Sequence, residues 1–121
     1  MKVKIDTKEK FHVITINEPM LPANMTEDIG ETLLPFLNNP IKNVIINLEN
    51  VHEIDNLSAD AIVSIQQTFY DANSSLVICN MHKEIEKYLD EIGLLELMNI
   101  TPTESEAWDI IQMEEIEREF N

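Results

Sequence analysis

The chain opens with two stretches in which apolar and polar positions alternate. "KVKIDT" sets Val3 and Ile5 two apart, the period of a half-buried strand. "FHVITIN" alternates again, with Phe11, Val13 and Thr15 on one side and His12, Ile14 and Ile16 on the other. Only "KEK" separates the two, so the pattern predicts an antiparallel hairpin. Pro19 and Pro22 mark a loop after it. The period then changes. Met25, Ile29, Leu33 and Phe36 or Leu37 recur at helical spacing, with Asn24 the expected N-cap and Glu27 at the capping-box position. Pro35 removes a helical hydrogen bond and is expected to kink or end this helix near Leu34.

"NVIINL" is a short continuous apolar run, as expected of a strand covered on both faces. After it Ile62, Ile65, Phe69 and Ala72 form one helical stripe, and Asn73 stands where a left-handed C-terminal residue is wanted. "SLVICN" reads as the next buried strand. Ile85, Tyr88, Leu89 and Ile92 make another stripe that Gly93 ends, and "LELMNI" holds a short last strand. Thr103 and Glu106 are placed to cap a final helix of about 103–119, with Ala107, Ile110 and Ile111 as its apolar face and Trp108 and Met113 widening it. The order β-β-α-β-α-β-α-β-α predicts an α/β fold: one domain over residues 1–121, with a mostly parallel sheet and an N-terminal antiparallel hairpin. In such sheets ligands meet the carboxyl ends of strands and the helix starts beyond them. The stretch "ENVHEIDNLSADAI" lies at such a junction.

Charge narrows the possible partners. The 121 residues carry 23 acids against 8 bases, a net charge of −15, which repels phosphate backbones and anionic lipid. Nucleic acid is therefore not an expected partner. No apolar run approaches the ~20 residues of a membrane span, and "MKVKIDTKEK" has no apolar leader core, so no membrane insertion and a cytoplasmic location are expected. The single Cys79 cannot form an internal disulfide and reads as a small buried hydrophobe. The acidic tail from Glu104 is either a solvated helix face or a surface for a basic protein. Catalysis finds little support. His52, Glu53, Asp55 and Asp60 match no common zinc or calcium spacing, and Ser58 lies in no nucleophile elbow. With only Gly30 and Gly93 there is no glycine-rich phosphate loop. Neither an enzyme nor a cofactor or metal site is expected.

The junction "VHEIDNLSADAI" resembles the STAS domain, the family of sulfate transporter domains and anti-sigma factor antagonists. Its bacterial single-domain members carry "V-x-x-I-D-S-S-G-L-G-x-L" there, and Val51, Ile54 and Asp55 match it without a gap. "YLDEIGLLELMNITPTESEAW" is similar to a second family segment through Leu89, Gly93, Leu94, Ile100, Glu106 and Ala107. The resemblance implies a protein-interaction module that binds a serine kinase acting as an anti-sigma factor. It also implies phosphorylation of the second serine of "D-S-S-G", which breaks the complex. At a helix start a phosphate would lie by free N–H groups and add about −1.5 to −2 charges to the docking surface.

The sequence departs from the pattern at the residues that would do this. Asp55 is kept, the first serine is Asn56, and the phosphoserine position is Leu57, which has no hydroxyl. Ser58 stands one residue late, Ala59 replaces the leucine and Asp60 the second glycine. Either the helix start shifts and Ser58 becomes the phosphorylated residue, or the switch is absent; absence is the favoured reading. Asp55 and Asn56 also suit helix caps, Ser58 is a second possible N-cap, and Leu57 is either a docking anchor or an ordinary surface leucine. The expected site is thus partner binding through Asp55, Asn56, Leu57 and Ser58, with an anti-sigma factor or serine kinase as partner. The alternatives are a structural subunit of a membrane transport complex without a phospho-switch, and a small-ligand-binding module.

Overall fold

The structure is a computed structural model and describes residues 1–120. Strands β1 (Val3–Thr7) and β2 (Phe11–Ile16) form the opening antiparallel hairpin, with Ile5 opposite Ile14. There follow β3 (Met20–Leu21), α1 (Thr26–Leu33), β4 (Asn43–Asn47), β5 (Glu53–Ile54) and α2 (Asn56–Asp71). The chain continues through β6 (Leu76–Cys79), α3 (Lys83–Glu91), β7 (Ile100–Thr101) and α4 (Glu104–Glu119). Five strands make one sheet in the order β1-β2-β4-β6-β7, parallel except for the hairpin, while β3 and β5 pair in parallel as a separate ledge.

Strand alternation divides the core between the two faces of the sheet. Ile14, Ile16, Val44, Ile46, Leu76 and Ile78 point to one face and pack on Ile29 and Leu33 of α1, Ile62, Ile65 and Phe69 of α2, and Ile85 and Leu89 of α3. Phe11, Val13, Ile45, Val77 and Cys79 point to the other, where only Ala107 and Ile111 of α4 complete the buried cluster. Trp108 extends it by stacking on Phe11 with ring centroids 4.7 Å apart. Full burial of each such side chain contributes roughly 1.5–3 kcal/mol, so these central strands carry the fold.

Several local expectations change. Asn24 is not a cap. Pro22 fixes an extended turn and its carbonyl accepts from Met25 N–H at 3.0 Å, so a 3-10 turn over Ala23–Met25 comes first and α1 begins at Thr26. Pro35 does end the α-helix: α1 stops at Leu33 and Leu34–Asn38 is a 3-10 turn. "LELMNI" is a 3-10 turn over Leu95–Leu97 followed by only two strand residues, Ile100 and Thr101. Ala72 falls past the end of α2 and is exposed, and Met113 faces away from the sheet. Asn73 and Gly93 take the left-handed conformation expected of them, at φ 59° and 78°. Thr103 caps α4, its hydroxyl accepting from Glu106 N–H at 3.2 Å.

Candidate functional site

The site is built where β4 hands the chain to α2. Asn47 Oδ1 accepts from Glu49 N–H at 2.9 Å, and Leu48 O accepts from Val51 N–H at 3.0 Å, which turns the chain off the sheet. The turned segment is caught by the loop after β2. His52 N–H donates to Pro19 O at 2.8 Å and Asp55 N–H to Leu21 O at 2.9 Å, which forms the β3–β5 ledge. The ledge leaves Asp55 extended at φ −78°, ψ 150°, and its carboxylate accepts from Leu57 N–H at 2.8 Å. Asp55 is therefore the N-cap of α2 and satisfies one of the free N–H groups of the first turn.

This cap decides where the next side chains go. Asn56 and Leu57 point outward, and Leu57 is 55% exposed. Ser58 and Ala59 point inward and are 0% exposed, while Asp60 returns to the surface. The Ser58 hydroxyl donates to Pro22 O at 2.7 Å, tying α2 to the loop after β3. Ser58 is thus neither an N-cap nor a surface hydroxyl, and the helix start is not shifted toward it. Phosphate on its oxygen would require breaking that hydrogen bond and opening the turn.

Two adjoining grooves run beside the ledge. One, of about 250 Å³, is lined by Met20, Leu21, Pro22, Glu53, Ile54, Asp55 and Tyr88. The other, of about 310 Å³, is lined by His52, Glu53, Ile54, Glu84, Ile85 and Tyr88. Three carboxylates, Glu53, Asp55 and Glu84, face this space, and among the described residues no Lys or Arg lines it. Met20 and Tyr88 are 48% and 37% exposed, so an apolar rim stands beside Leu57's turn. His52 lies with its ring 4.5 Å from that of His82, whose Nε2 is 2.6 Å from Glu49 O. Cys79, at the end of β6, is fully buried, and burial first, then the nearby Glu104 and Glu49, pushes its thiol up to about 12.

Of the residues expected at the site, Asp55, Asn56 and Leu57 come together at the surface and Ser58 lies beneath them. Met20, Pro22, Glu84 and Tyr88 also line the site, where the sequence pattern does not put them. Tyr88 falls in an apolar stripe of helical spacing yet stands at the surface, and Met20 gives no signal beyond lying between two prolines. What joins them to Asp55 is the two-residue pairing of β3 with β5, too short to leave a periodicity.

The STAS domain family model matches residues 2–107 of the chain. No curated protein sequence matches it. Among solved structures, an anti-sigma-factor antagonist (STAS) domain protein from Planctomyces limnophilus is similar, with a TM-score of 0.77 at 17% identity over 91% of this chain and 97% of that one. An anti-sigma factor antagonist from Mycobacterium paratuberculosis gives a TM-score of 0.77 at 8% identity over 92% and 93%. The murine Solute Carrier 26 family member A9 anion transporter gives a TM-score of 0.69 at 14% identity, over 86% of this chain and 18% of that much longer one. Such identities speak for the fold alone, and the family match over most of the length speaks for membership. The fold, the Asp55-capped helix start and that match together make the chain a member of the STAS domain family.

Proposed function

We propose that this STAS domain is a non-enzymatic docking module that binds a protein partner through the first turn of α2 and the β3–β5 ledge, without a phosphorylation switch. One observation carries the reading: at the outward position of that turn stands Leu57, half-exposed, while the hydroxyl of the turn itself, on Ser58, is buried and hydrogen-bonded. A rigid cap holds Leu57 out as an apolar anchor, and its burial against a partner would contribute roughly 1–3 kcal/mol. The groove beside it offers Met20 and Tyr88 as apolar walls and Glu53, Asp55 and Glu84 as charges. A complementary partner surface presents an apolar side chain flanked by Lys or Arg. The proposed partner is an anti-sigma factor or a related serine kinase, bound whatever the phosphorylation state of this chain.

The test is recovery of the tagged chain from its host cells, with mass spectrometry of its companions and of its own Asn56–Asp60 peptide. The reading expects a regulatory partner with the wild-type chain, loss of that partner with Leu57→Asp, and no phosphate on Ser58. Phosphate on Ser58 in the unbound pool, or equal recovery by Leu57→Asp, would overturn it. The absent hydroxyl also favours a second reading, a constitutive subunit of a membrane transport complex. Recovery of transporter components in the same experiment would select it.

A further inference from the structure

Helix α4 is apolar on two sides. Its inner side lays Ala107 and Ile111 on the sheet. On its outer side Met113, Ile116 and Phe120 follow at spacings of three and four, and they are 57%, 55% and 83% exposed. At about 100° per residue these three share one stripe, where a surface helix ordinarily carries polar side chains.

The outer stripe cannot roll inward, because three side chains fix the rotation of the last turns. Glu114 accepts from the Tyr70 hydroxyl at 2.7 Å, Glu115 accepts from Asn43 Nδ2 at 2.6 Å, and Arg118 donates to Ser75 Oγ at 2.6 Å. The same contacts use the only base of the helix. What remains around the stripe is acidic: Glu106, Asp109, Glu117 and Glu119 are all exposed. The family match ends at residue 107, so this stripe lies outside the matched segment.

We propose that the outer side of α4 is a second docking surface, for a basic amphipathic helix of another protein. That helix would set apolar side chains at three-four spacing on Met113, Ile116 and Phe120, with Lys or Arg along both edges facing the acids. Charge selects this occupant. A second copy would bring the same four acids onto the same stripe, with a net charge of −15 on each chain. Anionic membranes and nucleic acid meet the same repulsion. Apolar burial supplies the affinity, and the acidic edges supply steering and the choice of partner. The surface is separate from the α2 turn, so two partners, or two parts of one, could be held at once.

The test is an NMR titration of the isotopically labelled full chain with a designed leucine–lysine amphipathic helix and, as control, a scrambled peptide of the same composition. The expected result is saturable shifts confined to residues 109–120 and binding at least about tenfold weaker for the scrambled peptide. Met113→Ser/Ile116→Ser should weaken binding by a similar factor while the melting temperature stays near that of wild type. Three results would overturn the proposal. Shifts spread over the acidic surface and equal for both peptides would mean charge attraction alone. Shifts centred on Met20, Leu57 and Tyr88 would assign the peptide to the α2 groove. Concentration-dependent association without peptide, abolished by the serine pair, would make a second copy the occupant.

Discussion

The two ends of the parallel strands are built in opposite ways. At the end where β4 and β6 begin, polar side chains are closed on one another. Asn43 alone donates to Lys10 O and Glu115 and accepts from Ser75 N–H, while Ser74 donates to Lys42 O. Tyr70 joins α2 to α4 by donating to Glu114, and it accepts from Asn99. At the other end, where the strands hand over to α2 and α3, apolar side chains and carboxylates stand open: Leu57, Met20, Tyr88, Glu53 and Glu84. One end spends its polar groups on holding layers together, and the other leaves these side chains exposed. Substitutions at the closed end should therefore cost stability, and outward ones at the open end should cost binding.

The sharpest break in that comparison lies between two adjacent residues of the open end. Ser58→Asp would place a carboxylate in a fully buried site against the Pro22 carbonyl oxygen, and should lower stability by roughly 3–5 kcal/mol in urea denaturation. A loss below about 1 kcal/mol would mean that the turn opens easily and that phosphorylation there is tolerable. At the closed end Asn43→Ala removes three hydrogen bonds and leaves Ser75 N–H without its partner, for an expected loss of about 2–3 kcal/mol.

Alkaline pH should act next. Burial holds the Cys79 thiol up at about 12, so the folded state keeps a proton that the unfolded chain gives up near ~8.5. That contribution is complete below the unfolded value and is lost as pH rises through the window up to the folded one. Unfolding free energy should fall by about 1–2 kcal/mol between roughly pH 8 and 10, and Cys79→Ala should flatten the slope. Tyr70, raised by burial and by Glu114, acts in the same direction at higher pH. Tyr70→Phe should cost about 1 kcal/mol at neutral pH by unpairing Glu114 and Asn99. The smallest effect on stability belongs to Leu57→Asp, within about 0.5 kcal/mol, because the side chain already faces water.

Much of the fold was legible because periodicity reports burial. "FHVITIN" announced its two faces, and the structure sends Ile14 and Ile16 to one cluster and Phe11 and Val13 to the other. Asn73, Gly93 and Thr103 were readable because their conformations or caps need those residue types. The closed end was not legible. Asn43 reads as the edge of an apolar strand, and nothing in the sequence links it to Glu115, 72 positions on. The open end was half legible. Asp55 and Leu57 follow from the helix start, but the burial of Ser58 depends on a carbonyl 36 positions earlier. Of the outer apolar stripe of α4 the pattern shows only Met113, which it adds to the sheet-facing side and the structure turns outward.

The proposed point of contact with a partner is Leu57. The direct measurement is photo-crosslinking in host cells, with a light-activated residue placed at position 57 and, as control, at the equally outward Ile5 of β1. The expected result is a discrete adduct with one protein at position 57, none at position 5, and a chain without phosphate on Ser58 inside that adduct. Equal labelling at both positions, or no adduct at 57 while the chain still copurifies with a partner, would contradict it.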